Sequence, residues 1–228
     1  MRDVYFVRHG QSTANIGLPA GRHSEIPLTD KGVAQAARVA GLWQRTPDVI
    51  ISSPFVRARD TAAHLRERYP DVAYEEWPIQ EVSILADDID APTPFEHLRP
   101  RVEAFWNRLD PDYVEGPGAE SHNMFLDRVL ACLTRLRSRP EPHLVLFCHG
   151  QFMRVLLWFA LFAPDGEHRI AMDRYRQLIH VFMIPNTAIL HLRYDHTHPH
   201  RPHVLGLYAE HLSLEDWGQE DKSVIGRA

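Results

Sequence analysis

Three short apolar runs in the chain are each followed by polar residues or glycine, a pattern typical of buried strands in a parallel sheet. These runs lie at 4–7, 48–51 and 143–148. Stretches with helical spacing of apolar residues predict helices at 29–45, 55–69, 96–109, 119–137 and 151–162. Later apolar runs predict further strands at 179–184, 188–193 and 204–207.

This alternation of strands and helices predicts an α/β fold, a three-layer sandwich with a mostly parallel central sheet flanked by helices. Residues 75–118 are acidic and contain several prolines, with little regular spacing of apolar positions before the helix at 96. No repeat or low-complexity linker divides the chain. We therefore expect a single domain over 1–228, with a lid-like insertion around 75–118.

Composition excludes some classes of function. The chain has 25 Lys and Arg against 30 Asp and Glu, a net charge of −5, which argues against a general nucleic-acid binder. The longest apolar stretch, 155–163, is far shorter than the roughly 20 residues of a membrane span. Two cysteines, Cys132 and Cys148, are too few for a disulfide framework. We expect a cytoplasmic protein with no nucleic-acid or membrane partner.

The ends of the three apolar runs carry the candidate chemistry. Arg8 and His9 follow the first run, Arg57 comes shortly after the second, and His149 follows the third. Because ligands of open α/β sheets bind beyond the carboxyl ends of the strands, we expect these four side chains to lie close together. Two guanidinium groups suit a phosphoryl or carboxylate dianion. Glycines at 10 and 150 let the backbone approach that anion closely.

The motifs around these residues resemble those of the histidine phosphatase superfamily, also called phosphoglycerate mutase-like. Four motifs carry the resemblance, in this order: Arg8-His9-Gly10 with Ser12–Asn15, Pro27–Gly32 with Gln35-Ala36, Ser52-Ser53-Pro54 with Arg57-Ala58 and Thr61-Ala62, and His149-Gly150. The resemblance implies the phosphoglycerate mutase-like fold and a phosphomonoester hydrolase that uses no metal or cofactor. It would act through a phosphohistidine on a small phosphorylated metabolite and release inorganic phosphate.

The resemblance also implies roles for individual residues. His9 would attack phosphorus, and its attacking nitrogen must then be unprotonated. Three side chains would hold the phosphoryl oxygens and offset their charge: Arg8, Arg57 and His149. Asn15 and Thr61 would add hydrogen bonds. Inorganic phosphate is expected to inhibit.

The proton donor is less clearly marked. The resemblance points to Glu81 as general acid and, in the second step, general base. Residues 83–88 depart from the aromatic and glycine-rich pattern of family mutases, so Asp87 and Asp88 stay open as alternatives. The same departure favours hydrolysis over phosphoglycerate mutase-type transfer. A phospho-ligand-binding relative with weak catalysis is a further alternative.

Other features lead to competing or secondary expectations. Cys148 and Arg154 satisfy the Cys-x5-Arg spacing of cysteine-dependent phosphatases, a rival that would leave the two arginines and His9 of the other strand ends unexplained. The histidines at 196, 198, 200 and 203 are interpreted as a solvated loop and not as a metal site. His23 and His122 are candidates to approach the pocket from flanking loops. The lid-like segment is expected to shape the pocket through four residues: Phe95, His97, Arg99 and Arg101. The substrate is not identified, and a homodimer is left open.

Overall fold

The computed structural model describes residues 1–19, 21–89, 92–163, 166–167, 169–195, 201–213 and 216. Within these ranges the strands are β1 (Arg2–Arg8), β2 (Val49–Ser52), β3 (Ala73–Glu76), β4 (His143–Cys148), β5 (Ile189–Tyr194) and β6 (His203–Tyr208). The α-helices are α1 (Asp30–Gly41), α2 (Val56–Arg68), α3 (Phe95–Arg108), α4 (His122–Arg137), α5 (Gly150–Phe162) and α6 (Met172–Val181). Two short 3₁₀ turns, Thr13–Ile16 and His23–Glu25, lie between β1 and α1.

The six strands form one sheet in the order β3-β2-β4-β1-β5-β6. The pairs among β3, β2, β4 and β1 are parallel, whereas β5 and β6 are antiparallel to their neighbours. In the register, Arg8 lies opposite Cys148 and Ser52 lies opposite Phe147. The residues that follow these strands therefore leave the sheet at the same edge.

Apolar side chains cover both faces of the sheet. On one face, Phe6 and Leu146 belong to the larger core cluster, which α3, α4, α5 and α6 complete. On the other face, Val7 and Phe147 belong to a second cluster, completed by α1 and α2. Burial on both faces explains why the central strands are continuous apolar runs. The predicted three-layer sandwich is confirmed.

Capping residues fix where two of these helices begin. The Thr29 hydroxyl accepts a hydrogen bond from the Gly32 amide at the start of α1, at 3.0 Å. The Ser121 hydroxyl accepts one from the Met124 amide at the start of α4, at 3.1 Å. Helix α1 ends at Gly41, earlier than the predicted boundary at 45.

The predicted order of elements needs two corrections. The strand predicted at 179–184 is wrong, because α6 covers residues 179–181, buries Met172, Tyr175 and Ile179 at helical spacing, and is followed by residues 182–184 outside any strand. Strand β3 lies where no strand was predicted. It is an edge strand with a polar sequence that includes Glu75 and Glu76, so it lacks the apolar signal of the buried strands.

Parts of the segments 75–89 and 92–118 pack against the main body. The side chains of Trp77, Ile79, Val102 and Phe105 are buried in the larger core cluster. No helix in the described part of the chain is long and apolar enough to cross a membrane.

Candidate active site

A cleft opens beyond the carboxyl ends of β1 and β4, where α5 begins. Its lining combines cationic, polar and a few apolar side chains: Arg8, His9, Ser12, Ala14, Asn15, His23, Ile26, Arg57, Glu81, Val82, Gly150, Gln151 and Arg154. This position beyond the carboxyl ends of parallel strands is the usual ligand site of open α/β sheets.

Both ring nitrogens of His9 have a contact that indicates the position of the proton. Its Nδ1 lies 2.6 Å from the carbonyl oxygen of Gly10, and its Nε2 lies 3.2 Å from Nε of Arg57. A carbonyl oxygen only accepts hydrogen bonds, so Nδ1 carries the proton. The guanidinium only donates, so Nε2 has its lone pair available. The tautomer follows from these two partners and is the one that a nucleophile at Nε2 requires.

Gly10 is needed for the close backbone approach beside His9. A Cβ at this position would lie 2.4 Å from the carbonyl oxygen of Gly32, in the first turn of α1. The Gly10 amide donates to the Thr61 hydroxyl at 3.0 Å, and that hydroxyl donates to the carbonyl of Arg57 at 2.6 Å. Helices α1 and α2 thus fix the loop that carries His9.

Arg57, in the first turn of α2, is buried and held by His23. Its Nη1 donates to the carbonyl oxygen of His23 at 2.8 Å, and its Nη2 lies 3.2 Å from Nε2 of the same residue. The His23 ring also packs edge-on against Phe55. Burial, helped by the charge of Arg57, lowers the pKa of His23 to about 3. His23 is therefore neutral and accepts from the guanidinium.

Two further guanidinium groups flank Gly150 at the start of α5. A Cβ on Gly150 would lie 3.2 Å from both Nε of Arg8 and Nη1 of Arg154. Arg8 is anchored by Nη1 on the carbonyl oxygen of Ile184 at 2.5 Å. Arg154 is anchored by Nε on the carbonyl oxygen of Phe182 at 2.8 Å. Three arginines therefore converge on one cleft, which suits it to a dianion.

His149 lies beside His9 but is fully buried, and it is not among the cleft-lining residues of the described chain. The two ring centroids are 5.0 Å apart. Nε2 of His149 lies 2.8 Å from the Ser53 hydroxyl. Burial first, and then the charge of Arg57, hold the pKa of His149 well below its usual value. The ring is therefore neutral.

Glu81 reaches the cleft from the segment after β3. Its Oε2 accepts from the Gln151 amide at 3.0 Å, and its Oε1 accepts from the Phe152 amide at 3.2 Å, so the carboxyl group sits at the N-terminus of α5. Burial raises the pKa of Glu81, although the Gln151 amide and the charges of Arg57 and Arg154 oppose the shift. A raised pKa suits a general acid.

The alternative acids lie elsewhere. Asp87 and Asp88 are exposed and do not line the cleft as described, and Asp88 pairs with Arg101 at 3.0 Å. Of the segment expected to form a lid, Glu81 and Val82 line the cleft in this structure. The four residues named for pocket shape do not: Phe95, His97, Arg99 and Arg101.

Asn15 lines the cleft next to the His9 loop. Its Oδ1 accepts from the Ser12 amide at 2.9 Å and from the Ser12 hydroxyl at 3.0 Å. The side-chain amide of Asn186 donates to the same oxygen at 3.2 Å and to the His9 carbonyl at 3.0 Å. Asn15 and Asn186 therefore tie the loop after β1 to the loop before β5.

The structure does not support Cys148 as the nucleophile. Its side chain is fully buried in the larger core cluster, and burial raises the pKa of the thiol well above its usual value. A thiol in that environment stays protonated and unreactive. Arg154, its partner in the Cys-x5-Arg spacing, lines the cleft without it.

The remaining histidines lie away from the cleft or outside the described residues. His122 packs against Trp106 and Tyr175 and lies 2.8 Å from the carbonyl oxygen of Ile170, so it does not reach the pocket. His203 lies 3.0 Å from Asp195, whereas residues 196–200 lie outside the described residues. Among the described residues, no group of three or more His, Cys, Asp or Glu side chains is placed to hold a metal ion.

Two residues that line the cleft had no place in the site expected from the histidine phosphatase resemblance: Gln151, and Arg154, which entered only through the Cys-x5-Arg alternative. A usable signal existed for Arg154, because positions 150 and 154 are one turn apart on the same face of α5. The loop at 184–187 carried no such signal, since its contacts with Arg8 and His9 join distant parts of the chain.

Comparisons with known proteins place the chain in a family. The model of the histidine phosphatase superfamily (branch 1) matches residues 4–202. The 5''-phosphoribostamycin phosphatase of Niallia circulans is 27% identical over 209 residues, which cover 85% of this chain and 90% of the relative. The glucosyl-3-phosphoglycerate phosphatase of Mycobacterium tuberculosis is 32% identical over 112 residues, which cover 46% of this chain and 50% of the relative.

Solved structures show the same fold. The phosphoserine phosphatase of Entamoeba histolytica, in complex with 3-phosphoglyceric acid, superposes with a TM-score of 0.69 at 21% identity and covers 93% of this chain and 100% of its own. The alpha-ribazole phosphatase of Shigella flexneri also gives 0.69, at 16% identity, with 99% of each chain covered.

The chain belongs to the histidine phosphatase superfamily, as the match over residues 4–202 shows. It is a phosphoric monoester hydrolase, and a phosphohistidine intermediate is typical of its family.

Proposed function

We propose that this enzyme hydrolyses a small phosphorylated metabolite with Nε2 of His9 as the nucleophile and Glu81 as the proton donor. The pair of contacts on the His9 ring carries the proposal, since the Gly10 carbonyl holds the proton on Nδ1 while Nε2 faces Arg57. A phosphoryl group bound at Arg57 would thus lie next to the unprotonated nitrogen.

In the first step, the lone pair of His9 Nε2 forms a bond to phosphorus as the bond from phosphorus to the ester oxygen breaks. The leaving oxygen takes the proton of the Glu81 carboxyl, so the alcohol departs neutral. Arg8, Arg57 and Arg154 offset the charge on the phosphoryl oxygens. In other phosphoryl-transfer enzymes a metal ion supplies this positive charge. The three guanidinium groups supply it here, which supports a mechanism that uses no metal ion.

In the second step, water attacks phosphorus as its bond to Nε2 breaks, and the Glu81 carboxylate takes the proton of the water. Inorganic phosphate leaves, and His9 and the Glu81 carboxyl return to their starting forms. His149 and Asn15 complete the proposed phosphate site, with His149 packed against His9 and Asn15 in the cleft lining. Among the described residues, Nδ1 of His149 is a buried atom without a hydrogen-bond partner, which supports a role in binding phosphoryl oxygen.

The relatives support a small-molecule substrate and hydrolysis instead of mutase-type transfer. Their names refer to phosphoribostamycin, glucosyl-3-phosphoglycerate and alpha-ribazole as substrates of phosphatases. A cytoplasmic location is part of the proposal and is supported by the free thiols of Cys132 and Cys148. The homodimer stays a prediction that sedimentation of the purified protein would test.

The test is hydrolysis of 4-nitrophenyl phosphate and a panel of phosphorylated metabolites by the wild type and His9→Ala. We expect His9→Ala to lose at least about 10³-fold in kcat, because the covalent route is gone. Labelled substrate should leave an acid-labile phosphoryl group on the wild type and none on His9→Ala. His180→Ala, on the exposed face of α6, is the control and should be fully active. Normal turnover by His9→Ala, or loss of activity in a metal chelator, would overturn the mechanism.

A further inference from the structure

Two charged residues outside the cleft form a paired group next to the segment that carries Glu81. Glu120 precedes α4 and Arg128 lies within it. Arg128 donates from Nη2 to Oε1 of Glu120 at 2.5 Å and from Nε to Oε2 at 3.2 Å. Both side chains are largely buried, at 12% and 13% exposure, so water screens this bidentate pair little.

The pair holds the backbone on both sides of Glu81. Before it, Nη1 of Arg128 donates to the carbonyl oxygens of Gln80 at 2.7 Å and Pro78 at 3.2 Å. After it, Oε1 of Glu120 accepts from the Ser83 amide at 3.0 Å, and the Glu120 amide donates to the Ser83 carbonyl at 2.7 Å.

Residues 78–83 belong to no strand or helix and therefore lack a regular ladder of hydrogen bonds. Their backbone position therefore depends on the contacts with Glu120 and Arg128. The Glu81 carboxyl group is held from the other side by the amides of Gln151 and Phe152 in α5. The Arg128 guanidinium lies 5.8 Å from the ring of Phe152, so α4 and α5 meet at this segment.

We propose that the Glu120–Arg128 pair is a positioning device for Glu81, acting through the backbone of residues 78–83. The proposal rests on the role proposed above for Glu81 as proton donor. A general acid has to lie within hydrogen-bond distance of the leaving oxygen. A displacement of about 1 Å is enough to lower the rate by about 10²-fold.

A positioning role differs from a merely structural one in its dependence on the leaving group. Partial unfolding lowers the rate for every substrate by the same factor. A misplaced proton donor lowers the rate for a basic leaving group and has little effect on one that departs without a proton. Phenyl phosphate and 4-nitrophenyl phosphate are nearly the same size and provide this contrast.

The variants are Arg128→Lys and Glu120→Gln, which keep the volume and the polarity of the side chains. A lysine at 128 cannot make the planar bidentate contact with Glu120 and at the same time donate to the carbonyl oxygens of Pro78 and Gln80. The matched control is Arg101→Lys, because Arg101 makes an equally bidentate pair with Glu115, at 2.6 and 2.8 Å. Glu115 also accepts from a backbone amide, that of Ala86, beyond the stretch that brackets Glu81.

We expect Arg128→Lys and Glu120→Gln each to lose about 10- to 100-fold in kcat/KM on phenyl phosphate and several-fold less on 4-nitrophenyl phosphate. Arg101→Lys should show no such selectivity. Combining Arg128→Lys with Glu81→Gln should add no further selectivity to that of Glu81→Gln alone, because both changes remove the same proton transfer.

The outcomes separate the two proposals. If Glu81→Gln itself loses equally on both esters, the proposed role of Glu81 is wrong. If Glu81→Gln is selective while Arg128→Lys and Glu120→Gln lose equally on both esters, the positioning proposal is wrong. If Arg128→Lys fails to fold, the selectivity of Glu120→Gln between the two esters tests the positioning proposal. This variant should fold, because glutamine keeps an oxygen that accepts from the Ser83 amide.

Discussion

The contact between Nδ1 of His9 and the carbonyl oxygen of Gly10, 2.6 Å long, leaves Nε2 as the unprotonated nitrogen of the ring, which is the one proposed to attack phosphorus. The carbonyl is fixed in turn, because the Gly10 amide is bound to Thr61 and a Cβ at this position would meet the backbone of Gly32. Helices α1 and α2 thus hold the Gly10 carbonyl in place, and this carbonyl keeps the proton of His9 on Nδ1 before any substrate binds. The proposed nucleophile is therefore preorganised, which lowers the cost of reaching the transition state.

Substitution of Arg57 tests the proposed phosphate site, because Arg57 contacts Nε2 of His9, the proposed nucleophile. Arg57→Ala should lower kcat/KM by about 10²–10³-fold and weaken competitive inhibition by inorganic phosphate. Arg57→Lys should recover only part of this loss, because an ammonium lacks the planar second donor. Arg59→Ala is the control on the same helix, because Arg59 is exposed and its ion pair with Glu76 is long, at 3.9 Å. Unchanged phosphate inhibition in Arg57→Ala would contradict the assignment.

The raised pKa of Glu81 predicts a fall in kcat/KM on the alkaline side of the pH profile. In the proposed mechanism, formation of the phosphohistidine needs the protonated carboxyl of Glu81, so kcat/KM for phenyl phosphate should fall as pH rises through the raised pKa of Glu81. In Glu81→Gln this limb should disappear, with kcat/KM lower by about 10²–10⁴-fold. Asp87→Asn and Asp88→Asn are the controls and should keep the limb. A limb that survives in Glu81→Gln and vanishes in Asp88→Asn would assign the proton to Asp88.

Cys148 provides a direct test against the thiolate mechanism. Cys148→Ala should keep nearly full activity, with stability lower by about 1 kcal/mol from the small cavity left in the core. An alkylating reagent should not inactivate the folded wild type, because the thiol is buried and its pKa is raised. Steady-state rates before and after alkylation provide the measurement. An inactive but folded Cys148→Ala would restore the rival mechanism.

Much of the fold and site could be predicted because the relevant signals are local. The buried strands β1 and β4 each contain an apolar run, and each is followed by a histidine of the candidate site, His9 after β1 and His149 after β4. The parallel register then brings those ends to one edge, as sheet geometry requires.

The parts that could not be predicted depend on contacts between distant segments. Helix α6 was mistaken for a strand because the apolar residues from 179 to 184 have no clear period by themselves, and only packing shows that Tyr175 and Ile179 share a buried face. The bond from Arg8 to the Ile184 carbonyl joins residues 176 positions apart. The neutral state of His23 likewise depends first on burial by other segments and then on the charge of Arg57, which lies 34 positions further along the chain.

His23 also predicts how stability changes with pH. Its pKa is about 3 in the folded protein and about 6.5 when the side chain is free in solution, so between these values the unfolded chain binds one more proton. The free energy of unfolding should therefore fall as the pH drops from 6.5 towards 3, and the lowered pKa of His149 acts in the same direction. His23 alone contributes at most about 1.4 kcal/mol per pH unit.

His23→Gln removes this proton-binding site and keeps a polar side chain beside Arg57. Urea unfolding at several pH values should give a shallower decline of stability below pH 6.5 in this variant than in the wild type. His180→Gln, a substitution on the exposed part of α6, should leave the slope as it is in the wild type. The slope is the diagnostic quantity, because loss of the contacts with Arg57 lowers stability at every pH, whereas loss of a titrating group changes only the dependence on pH. Equal slopes for His23→Gln and the wild type would mean that the pKa of His23 is the same in the folded and the unfolded chain, and the assignment of His23 as a neutral acceptor for Nη2 of Arg57 would be wrong.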